Sequence, residues 1–139
     1  MHNQVQGWKR CGSMLYGLNL ELEFQCSTGE ADVVEYSIDL CQTLFTYSCE
    51  TAEVIKVNQK TPHTNRFKKI LSSSWLGFDV RLQFHHRCCK EGQSGNCDNW
   101  MKYYVSEDCY HCTDDSKHCK YYIHLANASV ISGDFRRLN

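Results

Sequence analysis

Ten cysteines fall in a chain of 139 residues, about 7 % and several times ordinary usage. No other feature restricts the fold as much, because each oxidised pair removes unfolded conformations and lets a small core suffice. Ten thiols admit roughly nine hundred complete pairings, so the connectivity as a whole is not readable. Local geometry still narrows it. Cys88 and Cys89 are adjacent, and a bridge between neighbours would strain a short ring, so each is expected to take its own partner. Cys26 continues the apolar side of Leu18, Leu20, Leu22 and Phe24, and Cys88 continues that of Leu76, Phe78, Val80, Leu82 and Phe84. A Cys26–Cys88 bridge that ties two strands across the core is one candidate. Cys109, Cys112 and Cys119, with Cys97 upstream, are expected to staple a compact C-terminal lobe, while Cys11, Cys41 and Cys49 serve the N-terminal half.

Zinc is the rival use of these thiols, since Cys109-Tyr110-His111-Cys112 has the spacing of a zinc knuckle and His118 and Cys119 follow. A second knuckle is missing, and seven other cysteines would stay unexplained, so disulfides are the preferred reading and no metal or cofactor is expected. Disulfides in turn place the chain in an oxidising compartment, secreted or at the cell surface. The opening Met1-His2-Asn3-Gln4-Val5-Gln6 has no apolar signal core, so the chain is expected to be a mature form or a fragment of a larger gene product. No run reaches the roughly 18 to 20 apolar residues of a membrane-spanning helix.

Alternation of apolar and polar residues marks strands at Leu18–Phe24, at Val34–Leu40 and at Leu76–Phe84. The first two, joined by Ser27-Thr28-Gly29-Glu30, are expected to form an antiparallel pair. Shorter candidates are Leu44–Tyr47, Val54–Val57, Met101–Val105, Tyr121–Leu125 and Ser129–Ile131. No window has the spacing of a secure helix. The predicted fold is therefore all-β: a single disulfide-rich antiparallel β-sandwich domain over 1–139, with the main sandwich in 11–89 and a small cysteine-rich lobe in 90–125. The polar stretch Asn58–Ser74, which holds the single proline, Pro62, reads as the longest loop, and Lys90–Asn99 as a second.

Charge is balanced overall at −1 but segregated along the chain. Eight acids and no Lys or Arg lie between Cys11 and Ile55, whereas five bases and no acid lie between Lys56 and Phe78. A net charge near zero gives no domain-wide positive field, so no nucleic-acid partner is expected. The two stretches are expected to be solvated faces that lie near each other in the fold.

Catalytic motifs are absent and no enzyme is expected. His85 and His86, with Lys68, Lys69 or Lys90, are the only acid–base candidates, and as strand neighbours the histidines face opposite sides. Glu107, Asp108, Asp114 and Asp115 lack the spacing of a calcium loop. Asn127-Ala128-Ser129 matches a glycosylation acceptor, which makes Asn127 the candidate site of a glycoprotein. Trp100, Tyr103, Tyr104, Tyr110, Tyr121 and Tyr122 make the C-terminal half aromatic, as both cores and interfaces are.

Three segments in order resemble the N-terminal region of Notch ligands of the Delta and Serrate type. They are the strand Gly17–Phe24, the run Cys41–Cys49 with aromatics between its cysteines, and Trp75-Leu76-Gly77-Phe78-Asp79-Val80-Arg81-Leu82. Met101–Cys109 is similar to the strand that leads from that family's MNNL module into its receptor-binding DSL module. The resemblance implies a phospholipid-binding-type β-sandwich whose loops meet a receptor and a membrane or glycolipid surface, without catalysis. Receptor-contact residues do not transfer, because the segment that carries them has no counterpart after Cys109.

The expected function is that of a secreted or cell-surface, non-catalytic protein-binding module with an extracellular receptor as partner, its contacts on the two loops. Lys60, His63, Arg66, Lys68, Lys69 and Trp100 are the candidate contact residues. A small secreted toxin, effector or hydrolase on the same scaffold is the alternative, and a zinc-binding interaction domain the third.

Overall fold

The computed structural model describes residues 9–10, 15–43, 46–72, 77–111 and 118–133. They form ten strands in two sheets, the disulfide-rich all-β sandwich that the cysteine content and alternation predict. In the first sheet β6 (Gly77–His86) lies beside β3 (Asp32–Thr43), and β3 beside β4 (Tyr47–Lys60). On its other side β6 pairs with β1 (Lys9–Arg10) near its start and with β7 (Asn99–Tyr104) near its end. In the second sheet the order is β10 (Ser129–Ser132), β9 (His118–His124), β2 (Leu15–Gln25), β5 (His63–Ser72), with β8 (Tyr110–His111) also on β2. A 3-10 turn, Glu107–Cys109, precedes β8. Strands from 99 to 124 thus enter both sheets.

The core is the space between the sheets. β2 contributes Tyr16, Leu18, Leu20, Leu22 and Phe24, and β6 contributes Phe78, Val80, Leu82 and Phe84, all essentially fully buried. Phe24 meets Phe84 edge-on at 5.5 Å and Tyr16 meets Phe78 at 4.9 Å. In β3 a register shift between Val33 and Glu35 turns Val33 inward together with Tyr36, Ile38 and Leu40, so Val33 rather than Val34 joins the core.

Two expectations are corrected. β2 and β3 are not a hairpin: they lie in different sheets and face each other across the core. Alternation shows that a strand has one apolar face and is silent on whether its partner lies beside it or opposite. The supposed loop 58–74 is mostly strand, since β4 runs to Lys60 and β5 pairs with β2 over ten residues, with Thr61-Pro62 as the corner between sheets. Only Phe67 and Leu71 of β5 are buried apolar positions, too sparse a pattern to read as a strand.

Four disulfides join described residues. Cys26–Cys88 links the end of β2 to the chain just after β6 and so fastens one sheet to the other, as the shared apolar parity suggested. Cys41–Cys49 crosses the β3–β4 pair, and Cys109–Cys119 links the 3-10 turn to β9. Cys97 bonds Cys89 and not the cluster that follows it, because the loop from 90 to 98 folds back on its own base. Cys88 and Cys89 have separate partners, as their adjacency requires. Cys11 and Cys112 lie outside the described residues, as do Asp114 and Asp115.

The segregated charges meet in space. Lys56 pairs with Glu35, Lys60 with Asp32 at 3.2 Å, Arg66 with Glu21 at 3.5 Å and Lys69 with Glu53 at 3.0 Å.

Candidate functional site

The register of the first sheet lays out its outer face in rows. Trp100, His85, Glu35 and Lys56 form one row across β7, β6, β3 and β4, then Lys102, Gln83, Ser37 and Val54, then Tyr104, Arg81, Asp39 and Thr51. Trp100 is 53 % exposed although its strand neighbour Met101 is buried, so it stands on the outside of the sandwich. Its ring stacks on that of His85, with centroids 4.4 Å apart and planes within 3°. Val54 and Tyr47 are also exposed on this sheet, and Tyr47 packs near Tyr104 at 6.4 Å.

Beside Trp100 lies the loop expected over Lys90–Asn99, of which Asn99 is the first residue of β7. It is a pinned structure. Cys89–Cys97 closes it, and Cys26–Cys88 fastens its base to the second sheet. The Asn99 side-chain amide, in a buried residue, donates to the Cys88 carbonyl at 2.8 Å and to Gln93 Oε1 at 3.0 Å. Thr28 Oγ1 donates to the Cys89 carbonyl at 2.6 Å. Gly92 and Gly95 take φ of +84° and +88°, a conformation that costs other residues a clash with Cβ. Between this loop and β6 lies an open cleft of about 590 Å³, lined by His85, Arg87, Gly95, Asn96, Cys97 and Asp98. There His85 Nε2 lies 2.6 Å from Asp98 Oδ1.

His86 points the other way. It is 1 % exposed, its Nδ1 accepts the Cys88 amide at 3.0 Å, and burial, reinforced by His85 and Lys90, lowers its pKa to about 4. The two histidines therefore do not share a site.

The candidate contact residues do not form one patch. Lys60 and His63 flank the Thr61-Pro62 corner, while Arg66 and Lys68 alternate on the outer face of β5. Lys69 is on the inner side of β5, and Trp100 is on the opposite sheet. Three of the four cations among them are held by carboxylates, which offsets their charge locally. The structure brings Trp100 together with the loop 90–98 instead. His85, on which Trp100 stacks, was missed as a contact residue because nothing local in the sequence shows that β6 and β7 pair, whereas its partner Asp98 falls in the expected contact loop Lys90–Asn99. Asn127 is exposed in the turn between β9 and β10, where Ser129 Oγ donates to its Oδ1 at 2.7 Å.

Cys109 and Cys119, two of the possible zinc ligands, are bonded to each other. Among the described residues no three His, Cys, Asp or Glu side chains gather as a metal site. Comparison of the chain with models of known families, with curated proteins and with solved structures finds no match.

Proposed function

We propose that this protein is an extracellular, non-catalytic module that binds another protein through the outer face of its first sheet, centred on Trp100. The single observation that carries this reading is a half-exposed tryptophan stacked on a histidine beside a loop pinned by two disulfides. Tryptophan is enriched among residues that dominate interface energies, and a rigid surface loses little entropy on binding. Four disulfides fit an oxidising compartment, and among the described residues no helix is long and apolar enough to cross a membrane. The resemblance to Delta and Serrate ligands adds a finer reading, receptor binding in cell–cell signalling, with a Notch-type receptor as the first partner to try.

The test is binding of the oxidised protein to immobilised receptor ectodomains, the Notch type included. Trp100→Ala is expected to weaken binding at least about tenfold, the scale of an interface hot spot, with unchanged unfolding midpoint. Loss of binding in a variant with Lys60, Arg66, Lys68 and Lys69 made neutral, with Trp100→Ala harmless, would place the interface on β5 and overturn the proposal.

One observation favours a second reading. Asp98 anchors one nitrogen of His85 in a cleft that also holds Arg87 and Asn96, an arrangement able to serve general acid–base chemistry in a small secreted hydrolase. No hydroxyl or thiol hydrogen-bonds the His85 ring among the described residues. Ester or phosphoester hydrolysis that His85→Ala abolishes would favour the enzyme over the binder.

A further inference from the structure

The open side of the sandwich, where the edge strands β4 and β5 run past each other, carries a second surface that does not depend on the Trp100 reading. A groove of about 480 Å³ lies there, lined by Leu40, Glu50, Glu53, Lys69, Ile70 and Leu71 among others. Its carboxylates face inward: Glu50 is directly opposite Leu40 in the β3–β4 ladder and Glu53 opposite Ile38, both core positions of β3. Glu53 is paired with Lys69 Nζ at 3.0 Å. Glu50 has no cation within ion-pair distance among the described residues, so the groove holds one uncompensated negative charge.

A buried group points to a missing partner at the same end. Tyr16 is directly opposite Leu71 in the β2–β5 ladder and is fully buried, yet its hydroxyl has no hydrogen-bond partner. Burial, then the Glu50 and Glu53 carboxylates, push the Tyr16 pKa up, so the hydroxyl stays protonated beside them. Leu40 and Leu71 supply apolar wall for an aliphatic stem. Each of the two flanking strands has one hydrogen-bonded neighbour among the described residues, which leaves backbone groups on both rims for an extended chain.

We propose that this groove docks an arginine side chain carried on an extended segment of a partner protein. A guanidinium offers five donors and no acceptor, matching an unpaired carboxylate and a half-engaged one that lie above an unpartnered, buried tyrosine hydroxyl. Its stem lies along Leu40 and Leu71.

The experiment titrates isotope-labelled oxidised protein with acetyl-Thr-Val-Arg-Val-Thr-amide and follows backbone amide signals. The control peptide carries citrulline, the neutral isostere, in place of arginine. Shifts are expected at residues 50–53 and 69–72, with affinity at least about tenfold lower for the citrulline peptide and for Glu50→Gln, the worth of a charge-assisted hydrogen bond. Lys69→Gln, which frees Glu53, is expected to tighten binding. Equal shifts with both peptides, shifts on another face, an unaffected Glu50→Gln protein or silence at millimolar peptide would each overturn the proposal. Unperturbed signals elsewhere in the variants show that they remain folded.

Discussion

Arg81 lies on the outer face of the first sheet, yet its side chain is only 15 % exposed and that of Asp39 3 %. Its Nε and Nη2 donate to Asp39 Oδ2 at 3.0 and 2.9 Å, and Thr51 Oγ1 donates to Oδ1 at 3.1 Å. Burial works to lower the Arg81 pKa, but the Asp39 hydrogen bond and charge outweigh it and raise it. Arg81→Met therefore strands a buried carboxylate and is expected to cost about 3–5 kcal/mol in urea unfolding, whereas adding Asp39→Leu should recover part of that loss. His86 gives the fold a pH response of definite sign. Its pKa falls from 6.5 unfolded to about 4 folded, so the unfolded chain binds the proton first. The stability that it contributes is full above about 6.5 and is lost as pH falls towards 4, by up to about 3 kcal/mol. His86→Asn, which keeps an acceptor for the Cys88 amide, should flatten this decline in urea midpoints measured at pH 7, 5 and 4. At this scale the sequence was partly legible. Trp100 stood out by residue type and the opposed faces of His85 and His86 by parity, but the stack on His85 depends on a strand pairing that no local pattern encodes.

Strand existence was easier to read than strand partnership. β2 and β6 carry unbroken apolar alternation because each is central in its sheet and packs the core along its length. β5 was hidden because it is an edge strand whose inner side includes Asn65 and Lys69; Asn65 Oδ1 accepts the Tyr36 hydroxyl at 2.7 Å, so a polar residue does bridging work between the sheets. The parallel pairing of β2 with β9 was also hidden, since it joins segments nearly a hundred residues apart. The disulfides differ in what they restrain. Cys26–Cys88 closes a separation of 62 residues and Cys41–Cys49 one of 8. On loop entropy alone, replacing the first pair by alanine is expected to cost about 4 kcal/mol and the second about 2.5 kcal/mol. Denaturant unfolding of the two double variants checks the order, and a larger loss at the short bridge would mean that native contacts, not chain entropy, set the cost.

Across the whole molecule, acids from the first third of the chain and bases from the middle come together as cross-strand and cross-sheet pairs, which turns a segregated sequence into a mixed surface. The functional readings rest on two surfaces of this sandwich: the tryptophan face and the β4–β5 groove. Both are held in shape by bridges between strands, so both functional readings stand on oxidised sulfur. Non-reducing peptide mapping of protein from an oxidising host, with a thiol count and metal analysis, tests that claim most directly. The predicted result is the four linkages Cys26–Cys88, Cys41–Cys49, Cys89–Cys97 and Cys109–Cys119, with reduction adding one hydrogen to each of those eight sulfurs. Free thiols at these positions with stoichiometric zinc would contradict the scaffold, the compartment and the binding surfaces together.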